Sequence, residues 1–496
     1  MRNRKYNSVT ILVFDGLSPD FIQEHLDYLP NFRKLMIEGS FGKITSTIPP
    51  ITISCVASFL TGASSKVTRV FDFREYDPRN LRKEEIIFAT RLSIPNIVDL
   101  SNYIGFSVGV FNVPFLSPLP KPSKGFVVAG FPLSEKSDYA WPADLLEELR
   151  ARKYSPEIPQ ILPNSTDTID KLIQEMKSRW EIFKELRERY RPLISIAWLS
   201  ETDHISHYFW HRKDVILRAY QCADRILGDA LKQTKKGSLL IVASDHGFME
   251  HKSTFLINSY LKGKGLLKLR KGPLTVFKLL LTKTGMGLRQ KSTLLGAITF
   301  RESKFTRLIE KFLISREDID IEKSLAVSLG PDTEFCFVHV LRDEGLDNLV
   351  ECLKELSIVE DMSIVKEWGQ MKTTTIVLRL KKGYICSSLA PWSEKYLIKA
   401  SNGAITGQHF LEGIAGLYGE GVRSGMEIHA RIEDILPTAL HALRLPIPDS
   451  SDGCPLVEFF EEGRIKEEIK TISKDRIIAY SKIRKLRRAV KDRDKG

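Results

Sequence analysis

Apolar residues in the first half of the chain fall into short unbroken runs, with helically spaced stretches between them. Ser8–Phe14 (SVTILVF) is one run, and residues 107–113 (SVGVFNV), 193–198 (LISIAW) and 239–243 (LLIVA) are three more. Runs without polar alternation are what strands buried on both faces of a parallel sheet require. Between them, residues 31–37 (NFRKLMI) read as a helix. Ile169, Leu172, Ile173, Met176, Trp180, Phe183 and Leu186 recur at the spacing of one helical face, over about five turns. Strand–helix alternation predicts an α/β fold, a mostly parallel sheet with helices on both faces. Ligands of such sheets gather at the carboxyl ends of the strands.

The texture changes after Leu256. Residues 324–329, 335–340 and 373–379 read as strands of a smaller α+β unit, and core-like sequence resumes near Ser401, with a helix over 432–443. The pattern divides the chain into a core of residues 1–254 and 400–462, an inserted cap of 255–399, and a tail of 463–496 that is helical in composition and lies on the surface or frays. There is no internal repeat and no low-complexity segment.

Charge sharpens that division. The 496 residues carry a net charge of +12. Residues 262–291 hold nine basic residues and no acid, and residues 463–496 hold thirteen basic and five acidic ones. The rest of the chain is therefore about five charges on the acidic side. Apolar residues make up 43 % and charged residues 27 %, which excludes disordered, collagenous and disulfide-scaffold classes. The six cysteines are scattered, as expected of small apolar side chains in a reducing compartment. No run approaches the ~18 apolar residues of a membrane span, and 9–14 is too short for a signal segment. A soluble, cytoplasmic protein is the expectation.

Residue types that bind metals stand where the sheet rule directs attention. Asp15 follows the first run; Asp203 and His207 follow the third, at i and i+4 of an expected helix; Asp245-His246 follow the fourth; and His409 lies where core sequence resumes. Each alone has an ordinary alternative: a turn or cap acid, a surface i,i+4 pair, a lone core histidine. Carboxylate and imidazole donors together suit Zn²⁺, Mn²⁺ or a similar divalent ion.

The segment STIPPITISCVASFLTG (residues 46–62) resembles the nucleophile region of the type I phosphodiesterases and nucleotide pyrophosphatases of the alkaline phosphatase superfamily. Thr52 follows a Pro-containing turn and stands ten residues before Gly62. The resemblance extends through VFDGLSPD, LPNFRKLMIEGSFG, GFSVGVFNVP, TDHISHYFW, VASDHGF, GQH and ILPTALHALRLPIPDSSDG, over residues 8–250 and 400–460. It implies an alkaline-phosphatase-like core and a two-metal centre, with Asp203, His207 and His409 on one ion and Asp15, Asp245, His246 and the Thr52 hydroxyl on the other. The ions would be two Zn²⁺, with Mn²⁺ or Mg²⁺ as alternatives. Two such ions would bring three carboxylates and a Thr52 alkoxide close to neutrality and attract an anionic phosphate ester.

The implied activity is hydrolysis of phosphodiester or pyrophosphate bonds through a covalent phospho-threonine. For Thr52 the competing role is a helix cap. The family's Asn about twenty residues beyond the nucleophile is absent, since residues 66–73 read KVTRVFDF, so either Arg69 or Arg74 supplies the missing donor or the substrate differs from the family's nucleotides. A sulfatase is excluded because the residues after Cys55 lack the required Pro and Arg. A phosphomonoesterase or phosphotransferase of the same superfamily is the alternative. A different class of reading is a protein whose basic insert or tail binds an anionic membrane; nucleic acid is disfavoured by sparse aromatic interleaving.

Overall fold

All four apolar runs form strands, and they sit side by side within one nine-stranded sheet. The structure, a computed structural model, describes residues 6–86, 92–133, 138–157, 166–284, 314–368, 373–389, 393–400, 405–465 and 468–493. Arg289 and Lys291 of the basic block, and residues 401–404 where core sequence resumes, lie outside these. Ser8–Phe14 pairs in parallel with Ile194–Leu199 on one side and Ser238–Ala243 on the other. Val108–Val113 and Gly125–Ala129 continue in parallel, and Ala140–Trp141 closes that edge antiparallel. Beyond Ser238–Ala243 come Glu412–Gly419, antiparallel to both its neighbours, then Ser40–Thr45 and Met426–Arg431.

The strand runs look uniform in sequence but divide cleanly in space, because successive side chains point to opposite faces. Leu12, Phe14, Ala197 and Leu199 enter one core, covered by the helices Thr166–Tyr190 and Lys213–Gln233. Val9, Ile11, Val13, Ile194, Ile196 and Trp198 enter the other, covered by Thr52–Thr61, Ile97–Ile104 and Ile435–Ala442. The mostly parallel sheet with helices on both faces is thus as expected. Ala326–Ser328, Phe335–Val340, Thr373–Leu380 and Val359–Trp368 form a separate four-stranded antiparallel sheet with the helix Leu346–Lys354 packed into its own core, the smaller α+β unit.

Register sets the place of the chemistry. Phe14 lies opposite Leu199, and Val13 opposite Ala243. Asp15, the turn at Ser200 and the segment Ser244-Asp245-His246 therefore leave the sheet at one level. A two-stranded ribbon, Gly247–Glu250 against Gly407–Phe410, puts Phe248 opposite His409 and folds that distant histidine back over the strand ends.

One expectation is corrected. Cys336 and Cys386 are joined in a disulfide, because their strands, fifty residues apart in sequence, bring the two Cα atoms to 5.4 Å. The remaining four cysteines are free, as expected. The tail is helical and lies on the surface, as expected: Lys474–Arg493 packs on Ile97–Ile104, burying Ile477, setting Tyr480 edge-on to Tyr103 and donating from Ser481 to Asp99.

Candidate metal centre

Short-range geometry explains how each side chain reaches the strand ends. Asp15 is the first residue past its strand. Gly16 turns the chain with φ +73°, where a Cβ would stand 2.5 Å from the Phe248 ring, so only glycine fits. Asp203 and His207 lie one turn apart on the helix Glu201–Phe209, facing the same way. Gly407 lets the ribbon lie against that helix, since a Cβ there would stand 2.4 Å from the Ser206 carbonyl oxygen.

The six expected ligands converge as two groups of three. In the first, His409 Nε2 is 3.1 Å and His207 Nε2 3.4 Å from Asp203 Oδ1, and the two Nε2 atoms are 3.0 Å apart. In the second, His246 Nε2 is 3.3 Å from Asp15 Oδ1 and 3.4 Å from Asp245 Oδ2. The groups adjoin, for the His246 and His409 rings stack with centroids 3.7 Å apart. Thr52, at the start of the helix Thr52–Thr61, places Oγ1 3.5 Å from His246 Nε2. All seven expected site residues therefore meet in one place.

Hydrogen bonds settle which atoms face inward. His207 Nδ1 donates to the Gly407 carbonyl at 3.1 Å, His409 Nδ1 to Pro50 at 2.8 Å, and His246 Nδ1 to Gly247 at 3.1 Å. A carbonyl only accepts, so each Nδ1 carries a hydrogen, and Nε2 is the ring atom turned to the centre, where it can ligate a metal. The facing carboxylate oxygens Asp15 Oδ1 and Asp245 Oδ2 are buried without a hydrogen-bond partner. Imidazole Nε2 atoms facing orphaned anionic oxygens are a donor set that fits cations.

Electrostatics in the site is strained without them. Burial favours the neutral acid at Asp203, but His207 and His409 hold it well below the usual carboxylate range. Burial and then the Asp15 charge push Asp245 well above it. Burial alone would lower the His246 ring, yet Asp245 and Asp15 raise it to about 10, while burial and the His246 charge lower His409 to about 4. Similar groups are driven apart because like charges crowd a desolvated space.

The cap role for Thr52 is set aside. Ile51 is the N-cap, Thr52 begins the helix, and no side chain caps it. Arg69, one expected phosphate donor, ends the short helix Ser65–Thr68 in a left-handed conformation and is exposed. Asp72 is pushed up to about 7, chiefly by burial.

Sequence reading misses the supporting shell. Trp198 Nε1 donates to Asp15 Oδ2 at 3.0 Å, and the Gly16 amide donates to Asp245 Oδ1 at 3.3 Å. Arg179 pairs with Glu201 at 3.1 Å, both almost fully buried beneath the Glu201–Phe209 helix. A signal existed for Trp198, since a tryptophan at the end of a buried strand needs a partner for its N–H.

Comparison with known proteins gives the family. The family model for type I phosphodiesterase / nucleotide pyrophosphatase matches residues 9–316, well over half the chain. The chain belongs to this family. Among solved structures, murine ectonucleotide pyrophosphatase / phosphodiesterase 5 is similar at 14 % identity and a TM-score of 0.47, covering 89 % of this chain and 96 % of its own. An inactive form of the murine protein in complex with AMP gives 14 % and 0.48 with the same coverage. The human counterpart gives 12 % and 0.47, covering 88 % and 95 %. No curated protein sequence matches. As a member of the type I phosphodiesterase / nucleotide pyrophosphatase family, the chain is a hydrolase, and the family implies divalent metal use.

Proposed function

We propose that this chain cleaves phosphodiester or pyrophosphate bonds at a two-metal centre through a covalent phosphoryl- or nucleotidyl-threonine at Thr52. One observation carries the reading: three imidazoles are locked by backbone carbonyls with their Nε2 atoms facing carboxylate oxygens, two of which have no partner. Asp203, His207 and His409 would hold one ion, and Asp15, Asp245, His246 and Thr52 Oγ1 the other. Three imidazoles among three carboxylates favour Zn²⁺, with Mn²⁺ next and Mg²⁺ least suited. When bound, the ions supply positive charge that lowers the pKa of a hydroxyl or water and polarises the phosphoryl group.

The chain's own groups do the rest. Thr52 Oγ1 attacks phosphorus, forming a P–O bond as the bond to the leaving oxygen breaks. Water then hydrolyses the phospho-threonine and restores the hydroxyl. The first amides of the Thr52–Thr61 helix, with no side-chain cap, are free to donate to nonbridging phosphoryl oxygens. In this reading the segment 255–399 is an inserted cap over a core of 1–254 and 400–462.

A hydrolysis screen of chromogenic phosphate mono- and diesters with Zn²⁺, Mn²⁺ and Mg²⁺ tests the proposal. A higher kcat/KM for diesters is expected. Monoester preference would instead favour a phosphomonoesterase, and no turnover with any ion would refute both.

A further inference from the structure

The helix Pro273–Thr284 is turned inside out for a surface in water. Thr275 is buried and Lys278 points inward to Asp318 at 3.0 and 3.1 Å, while Leu274, Val276, Phe277 and Leu280 are 62, 56, 51 and 60 % exposed. Residues 274, 277 and 280 repeat at one-turn spacing, and 276 lies one turn from 280, so the four share an outward face. No other described helix exposes four large apolar side chains within seven residues. Such a patch marks a contact surface.

Charge selects the occupant. Lys268, Arg270 and Lys271, just before the helix, are exposed. Among the nearby acids, Asp318 is taken by Lys278 and Asp320 by Lys323. Residues 262–284 and 314–323 together carry five more basic than acidic side chains. An apolar face beside a basic rim is the pattern of a helix lying in the boundary between lipid headgroups and acyl chains. No described helix is long and apolar enough to cross a membrane. A nucleic acid would engage the cations and leave the leucines with no role.

We propose that this helix docks the protein on an anionic lipid surface, with Leu274, Val276, Phe277 and Leu280 entering the boundary and Lys268, Arg270 and Lys271 meeting lipid phosphates. Co-sedimentation of the full chain with phosphatidylcholine vesicles, with and without phosphatidylglycerol, tests it. Binding is expected to the anionic vesicles only and to weaken with salt. The double variant Leu274→Ser, Phe277→Ser is expected to bind at least ~10-fold more weakly. Lys268→Gln and Lys271→Gln should each weaken binding about 5-fold. Turnover of a soluble phosphodiester and Tm should not change in either set, because these side chains are exposed and outside the metal centre. The proposal is overturned by absence of binding, by equal binding to neutral vesicles, or by unchanged binding of the serine variant. It is equally overturned if, without vesicle binding, the chain captures an oligonucleotide or forms a dimer that Phe277→Ser abolishes.

Discussion

The two groups of three ligands are alike in size and differ in charge and burial. Asp203, His207 and His409 bring one carboxylate and two imidazoles, with side chains 8, 13 and 12 % exposed. Asp15, Asp245 and His246 bring two carboxylates and one imidazole, at 3, 0 and 0 %. A buried pair of carboxylates is costly unless a cation joins it, whereas one carboxylate beside two imidazoles is partly neutralised already. The group next to Thr52 is therefore the one most dependent on its ion. In the proposed mechanism the buried group would hold the ion beside the nucleophile, and the less buried group would hold the ion at the departing oxygen.

The sharpest break of that comparison removes a ligand from each side. Asp245→Asn should lower the metal content from two ions per chain to one and reduce turnover by ~10³-fold. His409→Ala should lose the rim ion alone and reduce turnover by ~100-fold, with partial recovery at high metal concentration. Equal losses, or recovery in the Asp245 variant but not the His409 variant, would contradict the division. Trp198→Phe is a finer probe. Removing the indole N–H from Asp15 should weaken the buried ion by about 10-fold and leave the rim ion unchanged. The substitution also leaves a void that lowers Tm, so affinities measured separately at the two sites decide the matter.

Stability against pH gives the smallest effect. In the chelated protein Asp245 is pushed well above the usual carboxylate range by burial and by Asp15. A carboxyl whose folded pKa is raised favours the fold below its unfolded pKa, and that contribution is lost as pH rises toward the folded value. As pH rises above about 4, the chelated wild type should therefore progressively lose stability relative to chelated Asp245→Asn. At pH 8 the variant's Tm is expected to be higher by roughly 2 °C or more. A Tm difference that stays constant with pH would show that Asp245 carries no such strain.

Much of the core and five of the six expected ligands were legible because the signals are local. An apolar run followed by an acid marks a strand end, and an i,i+4 Asp–His pair needs only a helix. His409 was different: a lone histidine is recognisable only through its resemblance to the family, because the ribbon pairing it with Phe248 joins segments far apart in sequence. The same holds for the Pro50 and Gly407 carbonyls that set the imidazole tautomers, for Trp198 on Asp15, and for the Cys336–Cys386 pair. Each depends on two segments meeting, which pattern and spacing do not encode. The outward face of Pro273–Thr284 was hidden for another reason, since an apolar helix reads alike whether its leucines point in or out.

The central claim, that Thr52 is the nucleophile of a two-metal centre, is tested most directly by kcat and metal content measured together on Thr52→Ala and Thr52→Ser. Both variants should keep most of their metal, because the carboxylate and imidazole ligands remain. The serine variant should retain measurable turnover, since a primary hydroxyl can take the same position. The alanine variant should lose at least ~100-fold in kcat, about 2.7 kcal/mol of transition-state stabilisation. An alanine variant with near-normal kcat at saturating metal would contradict the account.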